Sequence, residues 1–507
     1  MLTSFLVSIG FCTLTVCGFL LASEPVAHWF VVPVWLCGVL IGRDAVDWLR
    51  GRVGLLDPAG IIGLIGVHFF FVAPLLHVAW GATMLYVDPP PDWRPWLGGM
   101  AIVNAAGLVL YGIAREHVQS GRPAAWRTAG RRLRASRLLL VAGCGMAVSA
   151  VLQAWVYASY GGISGYIDAF TESFGVPEAH SAFANMGWIF TLSESFPILA
   201  LLAFAAVARR RRIASSWVVI LAVLIAYFGL KLLFGGLRGS RSNTIWGLFW
   251  AVGIVHLWIR PLSRRFIIAG LCLLVAFMYA YGFYKGLGRD VVSVYEAGEL
   301  EESGQRLERT FQDLVLGDFA RADIQAFLLY RLWRPDRDYS YAWGRTYLGT
   351  VELLIPRRLW PDRPPTKVLE GTEAQTGVGS YDPETWVSSR VYGLAGETML
   401  NFGPLGVPLA FLAFGWVVGH LQRFHSGLRP GDARRLTYPF ILNLCFTILL
   451  NDSDILLFML VKDGLVPLLV VWFASRAVTR AYWAEPAAHL FTLVSARAGD
   501  GPRREPA

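Results

Sequence analysis

Residues 264–284 read RRFIIAGLCLLVAFMYAYGFY, two arginines followed by an uncharged apolar run that continues to Tyr284. A run of this length matches the ~20 residues that an α-helix needs to cross the hydrocarbon core of a bilayer. Comparable runs recur along the whole chain. Only helices and closed barrels satisfy every backbone hydrogen bond in hydrocarbon, and these runs are too long and continuous for barrel strands. The sequence therefore predicts an all-α polytopic membrane protein.

The composition of the chain agrees with this class. Of its 507 residues, 55% are hydrophobic and 16% are charged, with a mean hydropathy of +0.49, whereas an average soluble domain is about 25% charged. The formal net charge is +9, but the basic residues lie between apolar runs, so we expect no nucleic-acid partner. All six cysteines fall inside apolar runs, which argues against a disulfide framework or a cysteine metal cluster.

Hydropathy predicts about twelve spans. They are 3–22, 26–41, 59–80, 96–114, 137–158, 183–208, 214–234, 244–259, 266–284, 402–421, 436–450 and 455–475. Arginines fill the alternate segments at 115–137, 209–212, 260–265 and 423–435. The positive-inside rule places these segments in the cytoplasm, and both termini then lie there as well.

The predicted spans divide the chain into five parts. Residues 1–158 are N-terminal transmembrane helices, 159–284 central transmembrane helices with an external arginine loop at 235–243, 285–401 a large external loop, 402–475 C-terminal transmembrane helices, and 476–507 a cytoplasmic tail. The large loop has helical spacing of apolar residues in two places. These are Leu307, Phe311, Leu314, Val315 and Phe319, and then Tyr347, Leu348, Val351, Leu354 and Ile355. We expect these helices to lie on the outer face of the membrane and to cover a cavity.

The external loop 235–243, GGLRGSRSN, carries Arg238 and Arg241. Glycines let the backbone approach a ligand closely, and a guanidinium pairs with phosphate through two parallel hydrogen bonds. Paired arginines outside run against the charge bias of membrane topology. We interpret them as functional, although a positive loop that the topology tolerates is the alternative.

More arginines occur in the large loop, namely Arg345, Arg357, Arg358 and Arg390. Any one of them is as easily a solvated surface charge as a ligand. Together with the arginine loop they predict a cationic pocket at the outer surface, and its natural ligand is a lipid-linked phosphate or pyrophosphate.

Carboxylates and one lysine complete the candidates. Glu397 lies at the entry of the tenth predicted span and is either a general base or an arginine partner. Glu194 and Lys231 lie within apolar runs, where a structural ion pair between helices is the favoured account. Asp452 and Asp454 either cap a helix or face the same cavity, with capping favoured.

Four segments resemble a known family in type and order. They are Gly-Gly-Ile-Ser at 161–164, the Arg238-Gly-Ser-Arg241 loop, Ile-Pro-Arg-Arg-Leu-Trp-Pro at 355–361, and Gly396-Glu397 through Asn-Phe-Gly at 401–403. The chain is similar here, over about 155–420, to the oligosaccharide repeat-unit polymerases, the Wzy-type O-antigen polymerases of bacterial envelopes.

The resemblance implies a multi-pass glycosyltransferase of the bacterial inner membrane, with a fold like that of GT-C-type enzymes. Such an enzyme joins undecaprenyl-pyrophosphate-linked repeat units on the outer face of the membrane, and it needs neither a metal ion nor a nucleotide. Catalytic roles are carried over to Arg238, Arg241 and Glu397, and substrate binding to Arg345, Arg357, Arg358 and Arg390. Whether a chain-length regulator binds is left open by the sequence.

Two rivals share much of this evidence. An O-antigen ligase has the same architecture, but enzymes of that class place a histidine in the large outer loop, and residues 285–401 contain none. His180 in another outer loop keeps the ligase as an alternative. A flippase or transporter of lipid-linked saccharides is the second rival, and broken helices around a site inside the membrane are its expected signature.

Overall fold

The described part of the protein is mostly helical in a computed structural model. The structure describes residues 2–82, 88–121, 130–173, 183, 186–209, 212–238, 241–306, 310–334, 339–355, 359–360, 366–382 and 390–478.

The described residues up to Leu287 form twelve α-helices. They are α1 (Leu2–Ala22), α2 (Val31–Leu49), α3 (Pro58–Val67), α4 (Ala73–Trp80), α5 (Arg94–Ser120), α6 (Ala135–Ser159), α7 (Gly162–Glu172), α8 (Gly187–Ser193), α9 (Phe196–Ala208), α10 (Trp217–Leu233), α11 (Arg241–Ile254) and α12 (Arg264–Leu287). Short 3-10 helices cover Glu24–Val26, Arg212–Ser215 and Gly236–Arg238, and π-helical turns cover His68–Val72 and Val255–Ile259.

The second half of the described chain adds ten more α-helices. They are α13 (Val291–Glu296), α14 (Leu300–Arg306), α15 (Ala322–Trp333), α16 (Arg345–Glu352), α17 (Lys367–Thr376), α18 (Gly393–Phe402), α19 (Gly406–Ser426), α20 (Tyr438–Leu450), α21 (Ser453–Met459) and α22 (Leu465–Phe473). The π-helical turns Asp313–Asp318 and Leu460–Gly464 and the 3-10 helices Gly288–Asp290 and Ala433–Leu436 lie between them.

Seven helices among the described residues are long and apolar enough to cross a membrane. They are Leu2–Ala22, Pro58–Trp80, Arg94–Ser120, Ala135–Ser159, Gly187–Ala208, Arg264–Glu296 and Ser453–Phe473. Three shorter apolar helices are Trp217–Leu233, Asn243–Ile259 and Tyr438–Leu450. The predicted membrane class is therefore supported. Each of the twelve predicted spans overlaps helical structure, and the number of crossings stays a prediction.

Two of the differences from the predicted boundaries involve charged residues. The second predicted span, 26–41, corresponds to α2, which begins only at Val31 and continues to Leu49. Three charged residues in its last turns are accommodated because they contact side chains of neighbouring helices. The predicted arginine loop is shorter than 235–243, because α11 already begins at Arg241.

The helices of the predicted outer loop share a core with the membrane helices. α15 packs against α5, and α18 packs against α15, α19 and α20. Phe327, Tyr392 and Met399 are buried in the same hydrophobic cluster as residues of α2, α5 and α19. Helical structure at 311–318 and 345–352 agrees with the predicted helical spacing of apolar residues in the large loop. Leu354 and Ile355, by contrast, lie in the turn after α16.

The arginine-rich segments meet at one end of the helix bundle. Strand β1 (Gly130–Leu133) pairs antiparallel with β2 (Ser475–Val478). Arg132 also forms an isolated backbone β-bridge with Asp432. The Arg264 guanidinium donates to the carbonyl groups of Trp48 and Val53 at 2.7 and 2.6 Å. We call this the basic end. Thr3 accepts a hydrogen bond from Arg52 there, so Leu2 and Val478, the two ends of the described chain, lie at the same end of the bundle.

Candidate active site

A buried cluster of charges surrounds Glu194, where a span is interrupted between α8 and α9. A single apolar run thus becomes two helices with a carboxylate at the junction. We call the surrounding group the cationic cluster. Its members are Glu194, Lys231, Arg238, Asn243, Lys462 and Asp463. They come from the α8–α9 junction, the end of α10, the short segment before α11, the start of α11, and the π-helical turn before α22.

Three donors satisfy the Glu194 carboxylate. Arg238 Nη2 lies 2.8 Å from Oε1, Lys462 Nζ lies 2.8 Å from Oε2, and Asn243 Nδ2 lies 2.7 Å from Oε2. The Arg238 guanidinium also stacks over the Phe190 ring, 4.0 Å from its centroid. These contacts hold Arg238 in place by hydrogen bonding and by a cation–π interaction.

Lys231 joins the cluster from the opposite side of Asn243. Its ammonium donates to Asn243 Oδ1 at 2.6 Å and lies 3.6 Å from Asp463 Oδ1. The predicted direct pair of Glu194 with Lys231 is therefore wrong in detail, because the asparagine bridges them. Among the described side chains of the cluster, three cations face two carboxylates, which leaves a surplus of one positive charge.

A small cavity of about 10 Å³ adjoins the cluster. It is lined by Tyr227 and Asn443 as well as by the charged residues. The Tyr227 hydroxyl and both polar atoms of the Asn443 amide have no hydrogen-bond partner among the described residues. Space of this size holds one water molecule.

Glu397 on α18 is a second buried carboxyl group, and 3% of it is exposed. Its Oε1 accepts from Thr346 Oγ1 at 2.9 Å and from Ser453 Oγ at 2.6 Å, and its Oε2 accepts from the Ser453 backbone N–H at 2.7 Å. Burial, with the negative charge of Asp452 as the next cause, raises the pKa of Glu397 to about 7. Within the described chain its hydrogen-bond partners include no arginine, so the predicted arginine pairing is not seen.

The neighbouring Asp452 is fully buried and has strong partners. Lys367 Nζ donates to Oδ2, and the backbone N–H groups of Tyr392 and Gly393 donate to Oδ1 at 2.9 and 2.8 Å. The carboxylate thus binds the first N–H groups of α18, where the helix dipole favours negative charge. The predicted capping role is correct in kind, but the capped helix is α18 and not α21, which Asp452 precedes.

A long apolar cleft of about 760 Å³ runs beside this second site. Its walls come from α16, α19, α20 and α21. Tyr347, Thr350 and Ser453 lie at one end, and Phe424 and Arg434 lie toward the basic end. α16 therefore forms part of a cavity wall, which agrees with the prediction that helices of the large loop cover a cavity.

The two sites are connected by one stretch of helix. Ser453 begins α21, and Lys462 lies nine residues later in the π-helical turn that continues it. At ~1.5 Å per residue the two side chains are separated by roughly 13 Å along the helix axis.

The other predicted site residues have different surroundings. Arg345 is 58% exposed and its Nε lies 3.3 Å from Glu370 Oε1. Arg390 is half-buried, and its carbonyl accepts from Lys367 at 3.2 Å, close to Asp452. Arg238 thus belongs to the cationic cluster, whereas Arg345 and Arg390 lie beside the Glu397 site. A single cationic pocket formed by all of the predicted arginines stays a prediction. Arg357, Arg358 and the side chain of Arg241 lie outside the described residues.

Sequence reasoning missed Lys462, Asp463 and Ser453. The pair at 462–463 interrupts the last apolar run, and ionisable residues within a span are functional candidates by default. That signal was available. No sequence signal marks Ser453, because its contact with Glu397 exists only where α18 and α21 pack together.

Two Asp-x-Asp pairs occur in the segments predicted to be external, at Asp336–Asp338 and Asp452–Asp454. The first lies outside the described residues. In the second, Lys367 contacts Asp452 and lies 4.0 Å from Asp454. Among the described residues, histidine, cysteine and acidic side chains form no group of three that could hold a metal ion.

No family model matches this chain, and no curated protein or solved structure shows significant similarity to it.

Proposed function

We propose that the protein is a polysaccharide polymerase of the bacterial inner membrane. It joins oligosaccharide repeat units that are carried on undecaprenyl pyrophosphate, on the outer face of the membrane, without a metal ion or nucleotide. The observation that carries the proposal is Glu397, a buried carboxyl with a pKa of about 7 and a hydrogen bond to Ser453 at the polar end of a long apolar cleft. A general base is most effective when its pKa lies near the operating pH.

The proposed reaction exchanges one carbon–oxygen bond for another. A sugar hydroxyl of the incoming unit attacks the anomeric carbon of the growing chain, and the bond from that carbon to pyrophosphate breaks. The hydroxyl proton passes to the Glu397 site. The electron pair leaves with the lipid pyrophosphate, whose developing charge is stabilised by cationic side chains.

The cationic cluster supports the departure of the lipid pyrophosphate in this proposed reaction. Its surplus positive charge lies at a helix interruption, where an anionic group of the substrate restores neutrality. An unbalanced charge inside a membrane protein is costly, so neutralisation favours binding. Arg241 stays a predicted member of this site from its position in the chain.

The apolar cleft supports a lipid-linked substrate. A wall that is mostly apolar between the Ser453 end and the basic end, with His420 as a polar side chain along α19, matches a hydrocarbon chain. The carrier lipid therefore enters this cleft from the bilayer, and its hydrocarbon chain lies along the apolar wall.

A transporter of the same lipid-linked saccharide is the second candidate. The interrupted helix at Glu194 and the π-helical turn at Lys462 place charged groups within apolar runs, an arrangement found in transporters. Transport does not explain why the Glu397 carboxyl accepts a hydrogen bond from the Ser453 hydroxyl at the cleft.

Deletion of the gene in its host separates these functions. We expect a single lipid-linked repeat unit to accumulate on the outer face of the membrane. Long polymer still attached to lipid indicates a ligase, and a single unit on the inner face indicates a transporter. An unchanged pool of lipid-linked saccharide contradicts all three.

A further inference from the structure

Ser453 separates the Glu397 carboxyl from the cleft. Both carboxyl oxygens contact this one residue, Oε1 through its hydroxyl at 2.6 Å and Oε2 through its backbone N–H at 2.7 Å. Ser453 lines the cleft, whereas Glu397 does not and is almost fully buried. A molecule in the cleft therefore meets the serine hydroxyl before it meets the carboxyl.

A second hydroxyl continues the path. Thr350 Oγ1 lies 2.9 Å from Ser453 Oγ, also lines the cleft, and donates to the Thr346 carbonyl at 3.0 Å. When Glu397 is ionised, Ser453 donates its single hydroxyl proton to Oε1 and accepts one from Thr350, whose hydroxyl then turns away from the Thr346 carbonyl. When Glu397 is protonated, its proton is donated to Ser453, and Ser453 then donates to Thr350. Both directions of the hydrogen-bond chain are complete, as a proton relay requires.

Thr346 and Asn401 fix the orientation of the Glu397 carboxyl through hydrogen bonds. Thr346 Oγ1 donates to Glu397 Oε1 at 2.9 Å and accepts from Asn401 Nδ2 at 2.8 Å. The Asn401 amide donates also to the Glu397 carbonyl at 2.9 Å. The carboxyl therefore has a defined orientation, with Ser453 between it and the open side of the site.

We infer that Ser453 is the catalytic residue that contacts the attacking sugar hydroxyl, and that Glu397 acts through it. This inference rests on the proposed polymerase function. The proton of the sugar hydroxyl moves to Ser453 Oγ while the Ser453 proton moves to the Glu397 carboxylate. The serine is unchanged after the step and forms no covalent bond to sugar. Glu397 and Thr346 are positioning residues in this arrangement.

Other titratable or charged groups lie on the elements packed around the relay. α16 contributes Arg345 and Tyr347, α17 contributes Lys367 and Glu370, and the turn before α21 contributes Asp452 and Asp454. α15 carries Asp323, which faces His77 at 3.9 Å. The outer halves of α19 and α20 contain no charged residue, and His420 of α19 lines the same cleft farther from the relay. Of these groups, Asp452 has the largest influence on the pKa of Glu397.

The test uses the full chain in liposomes with lipid-linked repeat units, and measures polymer formation between pH 5.5 and 8.5. We expect Ser453→Ala to lower kcat by ~100-fold, the lower range for proton transfer by a positioned group, with little change in KM. We expect it also to remove the rise in rate near pH 7. Ser453→Thr retains a hydroxyl and should retain this pH dependence with part of the rate.

Thr447→Val is the matched control, because it removes a buried hydroxyl from α20 that donates within its own helix, to the Asn443 carbonyl at 2.8 Å. Folding of each variant is checked by size-exclusion chromatography and thermal unfolding. If wild-type protein makes polymer and Ser453→Ala keeps its rate and pH profile, the relay is overturned while the polymerase proposal survives. If wild-type protein makes no polymer, both are overturned.

Discussion

Glu397 lies where folding and the proposed catalysis place opposite requirements on one carboxyl group. Burial raises its pKa from 4.5 to about 7, so the folded protein holds a proton that the unfolded chain has already released at pH 6. The same shift makes the carboxylate a good base near neutral pH. The site therefore sacrifices some stability at alkaline pH for reactivity.

The first prediction concerns stability and pH. Because the folded pKa is above the unfolded one, the contribution of Glu397 is most favourable below about pH 4.5 and is lost as pH rises through about 7. One pKa unit corresponds to about 1.4 kcal/mol, so the loss is about 3 kcal/mol. We expect Glu397→Gln to abolish this part of the pH dependence in thermal unfolding. Parallel curves for wild type and variant between pH 5 and 8 contradict the assignment.

The second prediction concerns the charges of the cationic cluster. Lys462→Met removes the surplus positive charge, whereas Asp463→Asn, which is nearly isosteric, increases it. If the cluster binds a pyrophosphate, KM for the lipid-linked substrate should rise in the first variant and fall in the second. A charge-assisted hydrogen bond contributes about 1.5–3 kcal/mol, so we expect changes of roughly tenfold or more. Changes in the same direction in both variants point to a structural role.

At the scale of elements, α5 and α19 form the most extensive helix pair in the described chain. Gly415 allows this contact, since a Cβ atom there would lie 2.3 Å from the Tyr111 carbonyl oxygen and 2.8 Å from its Cα. Both atoms belong to backbone and cannot move aside without displacing α5. The pair in turn supports α15 and α18, and α18 carries Glu397.

The third prediction follows from this close approach. Gly415→Ala should destabilise the protein by about 1–3 kcal/mol, the usual cost of overpacking a core. Gly270→Ala on α12 is the control, because a Cβ there meets nothing within 4 Å. Thermal unfolding of the purified proteins measures both. Equal stability of the two variants means that α5 and α19 are less closely packed than the structure indicates.

At the scale of the whole molecule, the basic end brings together segments that are far apart in the sequence. β1 lies between α5 and α6, its partner β2 follows α22, and Arg132 bridges to Asp432 between α19 and α20. An arrangement with all of these loops on one side of a membrane requires this convergence. The side itself follows from the positive-inside rule.

The fourth prediction tests that sidedness. Single cysteines at Glu116 and Arg429 in a cysteine-free background should react with an impermeant maleimide only from the cytoplasmic side. Cysteines at Asp168 and Glu296 should react only from the outer side. Intact cells and inverted vesicles supply the two exposures. If the cysteines at Glu116 and Asp168 are both labelled from the same side of the membrane, the predicted topology is ruled out.

The sequence alone determined the membrane class, the helical character and the approximate positions of the spans, because these depend on local hydropathy and on the need to satisfy backbone hydrogen bonds in lipid. It also identified Arg238, Glu194, Lys231 and Glu397, because charges in or beside apolar runs are conspicuous. Only the tertiary structure decided which of them meet. Asn243 lies between Glu194 and Lys231, so Glu194 pairs with Lys462 instead of with Lys231. Ser453 separates Glu397 from the cleft. Such pairings join residues tens to hundreds of positions apart, and they are set by how helices pack, which no local pattern of hydropathy or charge records.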